Sequence, residues 1–219
     1  DKILSETSRS IVGQDYLIRR MLIALLSDGH MLIEGVPGLA KTLAVRTLSA
    51  TLNTQFQRIQ FTPDLLPSDL VGTQIYNPGT HEFMPKPGPV FSNIVLADEI
   101  NRAPAKVQSA LLESTEERQV TVSGKTYKMD NLFMVLATQN PIEQEGTYPL
   151  PEAQMDRFLI HTIIGYPDDN AELEIMRLNK REASKSDNKQ PLNTISPQAI
   201  FDAREEIAKV KVTEDIEKY

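Results

Sequence analysis

Cysteine is missing from all 219 residues, which excludes a disulfide framework, a thiolate nucleophile and a thiolate zinc site. Only three histidines occur and they are scattered, so a histidine-rich metal centre is not expected. No apolar run approaches the ~18 residues that a bilayer span needs, and the N-terminal stretch lacks the apolar core of a signal peptide. Positive charge is short as well: 23 Lys plus Arg against 30 Asp plus Glu leave a formal charge of −7. Without a basic stripe or a series of aromatics for stacking bases, a nucleic-acid partner is not expected. Internal repeats and low-complexity tracts are absent too. What is present, 40% apolar and 24% charged residues, is ordinary globular usage. The length fits one large domain, or one domain plus part of another, and the expected location is cytoplasmic.

Apolar periodicity then divides the chain. Tyr16 to Ser27 carries Leu17, Ile18, Met21, Leu22, Leu25 and Leu26 as a helical stripe, closed by Gly29. His30 to Glu34 is a short apolar run that ends at Gly35 and predicts a buried strand; Lys41 to Leu52 predicts a helix. Arg58–Phe61, Asn93–Ala97, Leu132–Thr138 and Phe158–Ile164 are four further strand candidates. A helix with Pro104 at its first position presents Val107, Ala110, Leu111 and Leu112 to one side. Near-continuous apolar strands that alternate with amphipathic helices predict an α/β fold with a five-stranded parallel sheet covered on both faces. Two segments, Gln74–Met84 around Asn77-Pro78-Gly79-Thr80 and Gln119–Met129 around Ser123-Gly124, predict inserted β-hairpins. Beyond Tyr166-Pro167 the chain turns helical, at Asp168–Glu182 and again at Pro197–Lys209 behind Ser196 as N-cap. The expected division is residues 1–165 as an α/β domain and 166–219 as the start of an incomplete helical domain.

The chemistry begins at Gly35-Val36-Pro37-Gly38-Leu39-Ala40-Lys41-Thr42, set after a strand and before a helix. That context is what a phosphate-binding loop requires. Glycines allow a tight turn whose backbone N–H groups converge on a triphosphate, and the helix N-terminus adds partial positive charge. Lys41 can then reach the β- and γ-phosphates, and the Thr42 hydroxyl can ligate Mg²⁺. Ala40 stands where glycine is usual, which a helical φ tolerates. The alternative is an ordinary Gly/Pro turn.

A second strand, Ile94-Val95-Leu96-Ala97, ends in Asp98-Glu99. Beside a phosphate loop, Asp98 would hold Mg²⁺ and Glu99 would polarise an attacking water. Asn140, after Leu136-Ala137-Thr138-Gln139, is the amide that could orient the same water, or else simply the residue that starts the turn at Pro141. Arg157 in Asp156-Arg157-Phe158, expected on a short helix, could stabilise phosphoryl charge across a subunit boundary; the alternative is a solvated salt bridge. Arg102 has the same two readings.

These blocks resemble the AAA+ ATPases, and within them the MoxR family. The resemblance runs through Ile-Val-Gly-Gln at 11–14, the loop at 35–42, Arg-Ile-Gln-Phe-Thr-Pro-Asp-Leu-Leu-Pro-Ser-Asp-Leu at 58–70, and Leu-Ala-Asp-Glu-Ile-Asn-Arg-Ala-Pro at 96–104. It continues in 137–146 and in Leu-Pro-Glu-Ala-Gln-Met-Asp-Arg-Phe at 150–158, to about Tyr166. It implies an adenine pocket at Ile11, Val12 and Gly13, and a nucleotide cradle at Gly35, Pro37, Gly38, Leu39, Ala40, Lys41, Thr42 and Leu43. Asp98 and Glu99 become the Walker B pair, Asn140 sensor 1 and Arg157 the finger supplied in trans. The hairpins resemble the helix-2 and pre-sensor-1 insertions of this clade.

The resemblance further implies ATP/ADP and Mg²⁺ as ligands, a homo-oligomeric ring (a hexamer), a protein client, and a partner with a von Willebrand A domain. Members of the family are similar to chaperones that mature protein complexes. A sensor 2 arginine is not assigned, although Arg204 lies on an expected lid helix. The sequence is expected to be a truncation. Two other functions compete: a nucleotide-gated binding module with negligible turnover, and a nucleic-acid motor built on the inserted hairpins.

Overall fold

The computed structural model describes residues 2–10, 13–36, 41–142, 146–166, 169–184 and 194–217. In chain order the main elements open with α1 (Lys2–Ser10), α2 (Asp15–Leu26), β1 (Met31–Gly35), α3 (Lys41–Thr51) and β2 (Phe56–Gln60). A short α4 (Pro67–Val71) leads into the hairpin β3 (Gly72–Asn77) and β4 (Glu82–Pro87). Then come β5 (Ile94–Asp98), α5 (Ala105–Glu117), the hairpin β6 (Gln119–Val122) and β7 (Lys125–Lys128), and β8 (Met134–Gln139). The series closes with α6 (Glu152–Met155), β9 (Ile160–Ile164), α7 (Asp169–Ser184), α8 (Pro197–Ala208) and α9 (Glu214–Glu217).

Five strands form one sheet in the order β2-β5-β8-β1-β9, every pair parallel. Successive strand side chains point to opposite faces, and the central strands bury both. Met31 and Ile33, Ile94 and Leu96, and Met134 and Leu136 face one core with α2 and α3. Leu32, Val95, Ala97, Phe133, Val135 and Ala137 face the other, under Val107, Leu111 and Leu112 of α5. The apolar runs seen in the sequence are continuous for this reason.

Both inserted hairpins lie where expected. Ser123 and Gly124 take φ of 49° and 82°, the left-handed pair that matches the twist of a two-residue hairpin turn. Gly72, at φ 98°, closes the base of the longer hairpin, where a Cβ would collide with the Lys86 carbonyl and the Gly88 amide. Its tip exposes Ile75 and Met84 on one side and Tyr76 and Phe83 on the other.

Two expectations are adjusted, those on Pro104 and on the helix at Arg157. Pro104 is the residue before α5, not its first helical residue, because its ψ of 152° is extended. The short helix near Arg157 is α6, which ends at Met155, so Asp156 and Arg157 sit in the turn that follows. The last long helix, α8, is docked on the α/β core: Ile200 is 2% exposed within the cluster that holds α2 and α3. Arg204 fastens it by donating from Nε and Nη2 to the Leu25 carbonyl, 3.1 and 2.6 Å, and by pairing with Asp28 at 2.8 Å. Ser196 caps α8, accepting from the Gln198 amide at 3.2 Å.

Candidate functional site

In an open parallel sheet, ligands sit beyond the carboxyl ends of the strands. Here those ends carry Gln60 on β2, Asp98 on β5, Gln139 on β8 and Gly35 on β1, with Gln60 beside Asp98 and Glu34 beside Gln139 in register. The polar residues that terminate the apolar runs therefore converge on one edge.

Gly35 packs so closely against β9 that a Cβ would lie 2.8 Å from the Ile164 carbonyl oxygen. Its lack of a side chain serves strand packing. Pro37, Gly38, Leu39 and Ala40 lie outside the described residues, as do Ile11 and Val12 of the expected adenine pocket. Gly13 is described, with φ 74°. Lys41 opens α3, and its Nζ donates to the Gly35 carbonyl at 2.6 Å. Burial holds its ammonium below the ordinary lysine range, while Asp98 and Glu99 oppose that shift by their negative charge. Lys41 thus lies in the electrostatic field of both carboxylates, although 57 residues or more separate them in sequence. Thr42 is half-buried on the first turn of α3, and Leu43, 45% exposed, is at its surface.

Each carboxylate of the acidic pair is held by a shell of which the sequence singled out only Arg102. Asp98 Oδ1 accepts from the Thr138 hydroxyl at 2.6 Å. Its Oδ2 accepts from Arg58 Nε at 2.9 Å and Nη2 at 2.7 Å. Glu99 Oε2 accepts from Gln60 Nε2 at 2.8 Å and pairs with Arg102 Nε at 3.1 Å. Thr138, 1% exposed, also accepts from the Glu99 backbone N–H at 2.9 Å. That bond matters because Glu99 has φ 56°, a left-handed conformation that costs a non-glycine residue about 1–2 kcal/mol. Such strain is typical where a side chain must be aimed at a ligand. The only advance signal for Thr138 was its place two residues before Asn140. Arg58 and Gln60 fall in the 58–70 block of the resemblance but had no role assigned, since their adjacency to Asp98 depends on the strand order.

Asn140 is buried, and its Oδ1 accepts from the Ile142 N–H at 3.1 Å, so its carbonyl does start the turn at Pro141. Arg157 pairs with Glu116 of α5 at 2.9 Å, its side chain 35% exposed. Within a single chain it is therefore a surface salt bridge. Arg102, paired with Glu99, does belong to the acidic end of the site.

The donors available to a cation are hard oxygens, the Thr42 hydroxyl and the Asp98 carboxylate. Among the described residues no group of three or more His, Asp or Glu is placed to hold a metal unaided. This is the donor set of Mg²⁺, which keeps its waters and shares phosphate oxygens with one or two protein ligands. The residues fit that ion in company with a nucleotide.

Residues 30–160 match the profile of the ATPase family associated with various cellular activities (AAA). The chain is 58% identical over 176 residues to the chaperone MoxR1 of Mycobacterium tuberculosis, covering 80% of this chain and 47% of that protein. It is 35% identical over 170 residues to the protein MoxR of Methylorubrum extorquens, covering 75% of this chain and 49% of that one. The chain thus spans about half the length of these two relatives. A solved structure of a protein from Cytophaga hutchinsonii, assigned as an ATPase, superposes with a TM-score of 0.89 at 55% identity, over 99% of this chain and 65% of that one.

Proposed function

The chain belongs to the MoxR group of the AAA ATPases, and from that premise we propose that it is the nucleotide-binding part of a Mg-ATP-dependent hydrolase. One observation carries the reading: the loop lysine, Lys41, lies in the field of Asp98 and Glu99 at the carboxyl ends of β1 and β5. A triphosphate offers Lys41 a stronger partner than the Gly35 carbonyl, and its ammonium then neutralises charge on the β- and γ-phosphates. Thr42 and Asp98 would hold Mg²⁺, which when bound adds positive charge at the scissile phosphate. Glu99 polarises the attacking water, and Asn140 helps to orient it. The backbone N–H groups of Pro37's neighbours, Gly38 to Ala40, complete the cradle, with Ile11, Val12 and Gly13 around the base.

Arg157 is proposed to leave Glu116 and serve a neighbouring subunit's γ-phosphate in a homo-oligomeric ring, a hexamer by the family resemblance. A salt bridge this exposed is worth only about 0–1 kcal/mol, so giving it up is easy. Hydrolysis would relax the subunit boundary and move the exposed β3–β4 hairpin against a protein client. Maturation of protein complexes, in concert with a von Willebrand A domain partner in the cytoplasm, is the role proposed for the whole protein. Among the described residues no helix is long and apolar enough to cross a membrane. Residues 166–219 are proposed as the start of the lid, which α8 anchors to the core.

A nucleotide-gated module with negligible turnover is the second reading, favoured by the shell that occupies both carboxylates. Phosphate release separates the two, measured against protein concentration for the whole protein, Glu99→Gln and Arg157→Ala. Hydrolysis predicts a rate per chain that rises with concentration, and a fall of about 10³–10⁵-fold in Arg157→Ala. Equal rates for wild type and Glu99→Gln would sink the hydrolase reading and leave the binding module.

A further inference from the structure

Arg58 has no part in the loop, in the acidic pair or in the sensor, yet it makes a two-donor ion pair with Asp98. It stands on β2, the edge strand, two residues before Gln60, so the two side chains share one face. Both its donors fall on a single oxygen, Asp98 Oδ2, at 2.9 and 2.7 Å. The other oxygen is held by the neutral Thr138 hydroxyl at 2.6 Å. The guanidinium thus takes both lone pairs of Oδ2, Oδ1 keeps one open beside the hydroxyl, and the carboxylate's charge already has a cation beside it. The two partners differ in freedom: the Arg58 side chain is 48% exposed, that of Asp98 only 17%. Arg58 can swing out into solvent while Asp98 stays put on its strand end.

We propose that Arg58 is the resident counter-ion of Asp98, a positioning residue with whose charge metal–nucleotide must compete, and that it thereby raises the Mg²⁺ concentration at which nucleotide is held. The proposal rests on the reading of Asp98 as the metal-side carboxylate. A hard cation at the open lone pair of Oδ1 and a guanidinium on Oδ2 repel each other across one carboxylate, so the two compete for its charge. The release also reaches Gln60. Arg58 Nη2 donates to Gln60 Oε1 at 2.6 Å, and the same amide donates to Glu99 Oε2 at 2.8 Å. When Arg58 leaves, Gln60 loses the partner that aims its amide at Glu99. Glu99 keeps Arg102 as its partner, so what the movement frees is the Gln60 amide and not the carboxylate.

An exposed pair competes weakly, so the expected change is about two- to fivefold. The test uses a fluorescent ADP analogue, reading nucleotide binding as Mg²⁺ is titrated and, separately, with chelator in place of metal. Arg58→Gln should lower the half-saturating Mg²⁺ concentration about two- to fivefold, and metal-free nucleotide affinity should not change. Arg58→Lys, which keeps the charge, should stay near wild type; Arg58→Met repeats the test should the glutamine variant not fold. An unchanged or raised Mg²⁺ requirement in the uncharged variants overturns the proposal. Asp98→Asn tells the two ideas apart. If it abolishes the Mg²⁺ dependence while Arg58→Gln changes nothing, only the counter-ion proposal falls. If Asp98→Asn leaves the dependence intact, the metal-side reading falls and takes the proposal with it.

Discussion

His30 makes the stability of this fold depend on pH in a way that can be calculated. It lies at the foot of β1, 6% exposed, edge-on to Phe133 with ring centroids 5.7 Å apart. Its Nδ1 accepts from the Val135 N–H at 3.1 Å, and Nε2 donates to the Thr115 carbonyl at 3.3 Å, an assignment that only the neutral ring satisfies. Burial pushes its pKa down from 6.5 to about 4, with the nearby Arg118 charge adding to the shift and the Thr115 carbonyl and Asp28 opposing it. The unfolded chain therefore takes up the proton at higher pH than the folded one. Stability is complete above pH 6.5 and falls as the pH drops through the interval down to about 4. At about 1.4 kcal/mol per pKa unit the whole loss is about 3 kcal/mol, of which about 2 kcal/mol is gone by about pH 5. His30→Asn keeps an acceptor near the Nδ1 position and cannot titrate. Urea unfolding followed by circular dichroism should find this variant less stable than wild type near neutrality. The gap should close by about 2 kcal/mol between about pH 7.5 and about pH 5. A gap that stays constant over that range refutes the reasoning, since surface carboxylates titrate identically in both proteins.

Two further substitutions test the site's supports. Thr138→Val keeps the shape but strips Asp98 of a donor and the strained Glu99 of its backbone acceptor. It should lower stability by about 1–3 kcal/mol and slow phosphate release, both measurable on the same preparation. Gly35→Ala places a methyl 2.8 Å from the Ile164 carbonyl oxygen and should destabilise by about 1–3 kcal/mol in the same urea assay, because backbone on the partner strand must give way.

The sheet was legible because its central strands are buried on both faces, so Ile94–Ala97 and Leu132–Leu136 read as unbroken apolar runs. Both hairpins announced themselves through Asn77-Pro78-Gly79 and Ser123-Gly124, whose turn chemistry is local. Helix α4 was missed, being five residues long and thus too short for a periodic stripe. Its signal was instead a cap, in which Asp69 Oδ2 accepts from the Leu66 N–H at 2.8 Å just before Pro67. Helix α1 was also missed, its apolar positions being mixed with Ser, Thr and Glu.

At the site the division is sharper still. Lys41, Asp98 and Glu99 could be named because each belongs to a contiguous pattern joined to its own strand. Arg58, Gln60 and Thr138 could not, because what makes them part of the site is the order β2-β5-β8, which brings residues about forty positions apart side by side. No local pattern encodes that order. The polar residues proposed to act on ATP are thus visible in sequence, while those that hold them are visible only in space. If Arg58 acts as proposed, a chain of this family that keeps every recognisable motif will still differ from its relatives in metal requirement when that one edge-strand residue differs.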